Sequence, residues 1–243
     1  MSALLEVEGL VKRFGGVTAV DACSFAVPEG TITALVGPNG SGKTTVFNLV
    51  TGYARTDAGS VRFGGASIRR PDPVRLARRG LTRTFQQARF FSDLTLVENL
   101  VVSRQEPWRA IVRRAVRRDD RERALELLEE FGLAHLADER AAELSYGQKK
   151  LLEFATVLMS HPRLVLLDEP TAGVNPVLVE SIERRIRELH ARGLTFLVVE
   201  HNMNLVMRLC DPVIVLNGGT KLAEGPPAHV QSDARVLDAY LGA

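Results

Sequence analysis

Residues 4–14 (LLEVEGLVKRF) and 23–30 (CSFAVPEG) alternate apolar and polar positions. A period of two places apolar side chains on one face of an extended chain, so both stretches predict antiparallel strands. The pattern then changes. Residues 31–37 (TITALVG) form a nearly continuous apolar run, as expected of a strand buried on both faces. A glycine-rich turn follows, and residues 44–52 (TTVFNLVTG) have helical spacing. Two later runs share the buried-strand character, RLVLLDEP at 163–170 and LTFLVVEH at 194–201, and DPVIVLNGG at 211–219 closes the series. Helical stretches lie between them, notably 177–193 (VLVESIERRIRELHARG). Buried strands alternating with helices imply a parallel, helix-covered sheet. From about 94 to 160 the strand pattern fades. There RERALELLEEFGLAHLADE puts Ala124, Leu125, Leu127, Leu128 and Phe131 on one amphipathic face. The expected fold is α/β: a mainly parallel sheet core, an N-terminal antiparallel β subdomain and an inserted helical lobe.

Bulk properties narrow the class only a little. A chain of 243 residues with 45% hydrophobic and 25% charged residues buries a core without staples. The formal net charge of +2 is too mild for a typical nucleic-acid binder, so no nucleic-acid partner is expected. An arginine cluster at 109–123 (RAIVRRAVRRDDRER) reads as a solvated helical face, with a phosphate or headgroup surface as the alternative. Cys23 and Cys210 stand far apart, which fits a reducing, intracellular compartment. The N-terminus lacks a signal-peptide layout, and no apolar run reaches the roughly 18 residues that a membrane span needs. If the protein works at a membrane, it must dock onto something that crosses it.

The chemistry begins at GPNGSGKTT: Gly37, Pro38, Asn39, Gly40, Ser41, Gly42, Lys43, Thr44 and Thr45. These residues fit G-x-x-x-x-G-K-[ST] between a buried strand and a helix, the context a phosphate loop requires. The fold is therefore expected to have a P-loop NTPase core. Glycines let backbone N–H groups point at phosphate oxygens, and the helix adds the positive end of its dipole. Lys43 supplies a charge to the β- and γ-phosphates, and the Thr44 hydroxyl can ligate Mg²⁺. Asp168 and Glu169 follow four apolar residues and so emerge at the carboxyl edge of the sheet, where such folds bind ligands. One acid suits a metal and the other can polarise water. His201 ends a second buried run and can hold an attacking water or bond the γ-phosphate. The stretch 142–150 (AELSYGQKK) starts a helix with Ser145 as a cap, but capping alone does not call for Gly147 and Gln148.

In order along the chain, GPNGSGKTT, RTFQQ, LSYGQ, LVLLDEPTAGVNP and VVEHNM together resemble the nucleotide-binding subunit of an ABC transporter. The resemblance spans essentially the whole chain. It implies one nucleotide-binding domain over 1–243, with a core at 1–92 and 161–243 and a helical subdomain at about 93–160. It implies that Phe14 stacks on adenine, a core Phe being the alternative. Gln86, with Gln87 as the competing residue, then touches Mg²⁺ and the attacking water, Asp168 holds Mg²⁺, Glu169 is the general base and His201 the switch histidine. Ser145, Gly147 and Gln148 lie in the signature stretch, which contacts the ATP of a partner subunit. Tyr146 stands where the commonest signature has glycine, and Asn175 where an aspartate is usual. Tyr146 is left to pack on the helical lobe or to extend a dimer contact. Both departures, with the ending LAEGPPAHVQSDARVLDAYLG, resemble the subset that energises import of branched-chain amino acids.

The cofactors so implied are ATP and Mg²⁺. The implied partners are transmembrane permease subunits, a second ATP-binding subunit (identical or paralogous) and, indirectly, a periplasmic solute-binding protein. The implied location is the cytoplasmic side of the inner membrane, held peripherally, with a permease helix docking near Arg89, Phe90 and Phe91. Competing readings are the ATPase of a lipid or lipopolysaccharide exporter, an importer for another small solute, a soluble ABC protein acting on DNA or ribosomes, a P-loop kinase and a non-catalytic regulator.

Overall fold

The computed structural model describes residues 2–68, 71–84, 90–103 and 118–241. Strands β1 (Ala3–Phe14) and β2 (Val17–Pro28) pair antiparallel, as the alternation predicts. They are joined by β4 (Ala58–Phe63) and β5 (Ala66–Ile68) in a sheet of order β2-β1-β4-β5.

The second sheet has the order β10-β9-β3-β8-β7-β6. Its members are β3 (Ile32–Val36), β6 (Leu81–Arg83), β7 (Leu164–Asp168), β8 (Thr195–Val199), β9 (Val213–Asn217) and β10 (Thr220–Gly225). All its pairings are parallel except β9 with β10. Every residue of β3, β7 and β8 is buried. Successive residues serve opposite faces. Val165, Leu167, Phe196 and Val198 join one apolar core with the helices, while Leu164, Leu166, Leu197 and Val199 join the other with the N-terminal sheet. That double burial explains runs with no polar interruption.

Helix α1 (Lys43–Val50) follows β3, and α2 (Pro73–Arg78) precedes β6. Three helices, α3 (Leu96–Ser103), α4 (Arg118–Glu130) and α5 (Tyr146–Leu158), pack on one another. In α4, Ala124, Leu127 and Leu128 are buried and Leu125 is half-buried, with Phe131 buried just beyond. Asn99 of α3 pins the chain before it: its amide donates to the carbonyls of Phe91, Leu94 and Thr95 and accepts from the Phe91 N–H. Helix α6 (Pro176–Ala191) links β7 to β8, and α7 (Met203–Leu209) links β8 to β9. Two short helices, α8 (Pro227–Ser232) and α9 (Ala234–Leu241), end the described chain. Among the described residues no helix is long and apolar enough to cross a membrane.

Candidate active site

Parallel register brings four strand ends to one edge. Leu35 pairs with Val199, Asp168 with Val199, and Arg83 with Leu166. The phosphate-binding motif, the acid pair and the histidine therefore leave the sheet side by side.

At the end of β3 the chain turns tightly. A Cβ at Gly37, whose φ is +150°, would collide with the Leu216 carbonyl, so only glycine fits the approach to β9. The turn is braced from outside: the Gly219 N–H donates to the Ser41 carbonyl at 3.1 Å. Lys43 is buried, and its ammonium donates to the carbonyls of Gly37 at 2.7 Å and Pro38 at 2.9 Å. Burial pushes its pKa below the ordinary lysine value, and the charge of Glu169 partly offsets this. Thr44 is exposed on the first turn of α1, with its hydroxyl available to a ligand. Phe14 is 54% exposed and forms no part of the core, which removes the core alternative. It pairs with Val17 at the end of the β1–β2 hairpin, and the Ala19 carbonyl of that hairpin lies against Gly42.

Asp168 ends β7 in a buried ion pair, its Oδ2 2.6 Å from Nη2 of Arg83, with both side chains 7% exposed. Arg83 also donates to Asn48 Oδ1 at 2.6 Å, which ties β6 to α1. Leaving either charge alone in such a setting costs about 3–5 kcal/mol. Arg83 was not singled out in the sequence, although it directly precedes the TFQQ stretch. Glu169 follows with φ +48°, a left-handed backbone that costs a non-glycine residue about 1–3 kcal/mol. That turn aims its carboxylate sideways, so that Oε1 lies 2.8 Å from Nε2 of His201. The two residues line a cleft of about 500 Å³ together with Thr171, Glu200, Asn202 and Arg208. Gln86 and Arg89 lie outside the described residues.

Ser145 caps α5, accepting from the Gln148 N–H at 3.3 Å, while Gln148 Oε1 accepts from the Ser145 N–H at 2.9 Å. This reciprocal capping box accounts for Gln148 on local grounds, contrary to the expectation that a cap would not call for it. A Cβ at Gly147 would come within 2.9 Å of Leu178 Cδ2, the movable end of a half-buried side chain. Tyr146 makes a contact that neither expectation named. Its hydroxyl donates to the Ala172 carbonyl at 3.0 Å and its ring faces Gly173, on the loop after β7. Asn175 likewise has a local task, capping α6 by accepting from the Leu178 N–H at 2.9 Å.

The residues fit a nucleotide and its metal. A phosphate loop stands at the N-terminus of a helix, with a lysine folded over it. The Thr44 hydroxyl and Asp168 carboxylate offer oxygen donors, the kind Mg²⁺ takes alongside phosphates and water. Among the described residues no group of three or more His, Cys, Asp or Glu is arranged to hold a metal. Fold and site together define a P-loop nucleoside triphosphatase.

Comparison with known proteins narrows this class. A family model described as ABC transporter matches residues 20–172, and one described as branched-chain amino acid ATP-binding cassette transporter matches residues 220–243. The chain is 39% identical to the high-affinity branched-chain amino acid transport ATP-binding protein BraF of Pseudomonas aeruginosa, over 98% of each chain. It is 38% identical to the probable branched-chain amino acid transport ATP-binding protein LivG of Archaeoglobus fulgidus, over 99% of this chain and 96% of that one. The crystal structure of a nucleotide-free ATP-binding cassette from an ABC transporter superposes with a TM-score of 0.89 at 36% identity, over the whole of both chains. An ADP conformation of such a cassette superposes equally well. The chain belongs to the ABC transporter family, as one of its ATP-binding cassettes. Its activity is ATP hydrolysis coupled to transport.

Proposed function

We propose that the chain is the ATP-hydrolysing subunit of an importer for branched-chain or related amino acids. The Glu169–His201 pair, 2.8 Å apart beside the phosphate loop, carries the hydrolytic part of this reading. Full-length similarity to branched-chain amino acid transport proteins, reinforced at residues 220–243, supports the solute class.

In this reading the loop from Gly37 to Thr45 holds the ATP phosphates and Phe14 holds the adenine. Lys43 exchanges its loop carbonyls for phosphate oxygens. Thr44, Asp168 and Gln86 hold Mg²⁺, which neutralises phosphate charge when bound. Glu169 takes the proton of the attacking water, and His201 orients that water and the γ-phosphate. Ser145, Gly147 and Gln148, at the positive end of α5, face the nucleotide of a second ATP-binding subunit. Residues 1–92 and 161–243 act as the core and 93–160 as the helical subdomain. The helical lobe near Arg89, Phe90 and Phe91 receives a helix of the permease, and the 60% exposure of Phe91 supports this. The chain then works peripherally on the cytoplasmic face of the membrane, with a periplasmic binding protein delivering solute to the permease.

The reading is tested by leucine uptake into proteoliposomes that hold the chain with its permease and second ATPase, with the periplasmic binding protein supplied outside. Uptake is expected to require internal ATP and to stop with Lys43→Ala. ATP-dependent uptake of an unrelated solute, with none of leucine, isoleucine or valine, contradicts the solute class.

A further inference from the structure

Glu200 is the residue between β8 and His201, and it is buried. Its two oxygens take four hydrogen bonds from two loops. Oε1 accepts from the Thr171 backbone N–H at 2.9 Å and from the Thr171 hydroxyl at 2.6 Å. Oε2 accepts from the backbone N–H of His201 at 3.0 Å and of Asn202 at 3.3 Å. Thr171 stands two residues after Glu169, and His201 directly follows Glu200. One carboxylate therefore joins the two loops that carry the Glu169–His201 contact.

Helix capping does not explain this arrangement. The N-cap of α7 is Asn202, whose own side chain accepts from the Leu205 N–H. Glu200 could satisfy the nearby N–H groups with one oxygen, yet it spends the other on Thr171, across the cleft. Four donors converge on it, and an ionised carboxylate is the acceptor-only group that suits them. Charge-assisted bonds of this kind also offset the desolvation of the buried charge. A glutamine of the same shape would turn an NH₂ toward N–H donors.

We propose that Glu200 is a positioning residue for ATP hydrolysis: it clasps the loop after Glu169 to the loop of His201 and fixes their spacing. The inference rests on the reading of Glu169 and His201 as the pair that handles the attacking water.

The test uses the full-length chain with Glu200→Gln, Thr171→Val, His201→Ala and the Glu200→Gln/His201→Ala double variant. Amide hydrogen exchange at Thr171 and His201 is expected to quicken in Glu200→Gln without nucleotide. Turnover is expected to fall by about tenfold or more, with ATP affinity measured in EDTA held within about twofold. Thr171→Val, which keeps the backbone donor, is expected to lose about threefold in kcat. The double variant is expected to turn over within about twofold of His201→Ala, because a residue acting through its neighbour has nothing left to position. A merely structural role instead multiplies the two losses, and that result overturns the proposal. If Glu200→Gln fails to fold, Thr171→Val decides, and parental kcat in it is the overturning result. Parental turnover in Glu200→Gln beside an impaired His201→Ala removes the clasp alone; parental turnover in His201→Ala removes the underlying pair and the clasp with it.

Discussion

Tyr146 shows how a single side chain can belong to two parts of a fold. It opens α5, yet its hydroxyl bonds the Ala172 carbonyl on the loop after β7. Tyr146→Phe removes one hydrogen bond of about 1 kcal/mol, so its thermal midpoint should drop by about 2–4 °C. Tyr146→Gly also loses the ring against Gly173 and should drop further; equal midpoints for parent and both variants contradict the contact. At this scale the sequence was legible where a motif carries its own mechanism. The phosphate loop, Asp168, Glu169 and His201 all stand where their strand ends place them. The capping role of Gln148 lay in the S-x-x-Q spacing, which marks a capping box without any ligand. Arg83 was missed because a three-residue strand leaves no periodic signal around it. Glu200 carried the same signal as Asp168, an acid straight after a buried apolar run, and was passed over for the histidine beside it.

Elements buried on both faces announced themselves, and short ones did not. β3, β7, β8 and β9 read as continuous apolar runs because each face of the central sheet meets a separate core. β4, β5, β6 and β10 were not singled out: β5 and β6 have three residues each, and β4 and β10 are broken by glycine and charge. Helix α4 was legible from its apolar stripe alone, and burial grades that stripe. Leu127 is fully buried and Leu125 only half, so Leu127→Ala should cost about 2–5 kcal/mol and Leu125→Ala clearly less. Urea denaturation of the two variants measures this, and equal losses contradict the assigned face.

The whole molecule hides both its thiols. Burial raises the pKa of Cys23 to about 11 and that of Cys210 to about 12, because a thiolate is disfavoured away from water. At pH 8 both stay protonated while the chain is folded, so iodoacetamide labelling should track global unfolding in denaturant; rapid labelling of the native chain contradicts that packing. The same folded body gathers the ends of four strands into one edge, and the account depends on what happens there. Its most direct test is Glu169→Gln, with ATP affinity and ATP turnover measured on the same preparation. The account predicts ATP binding within about twofold of the parent and turnover reduced by about a hundredfold or more, the loss expected when a general base is removed. Parental turnover in that variant contradicts it.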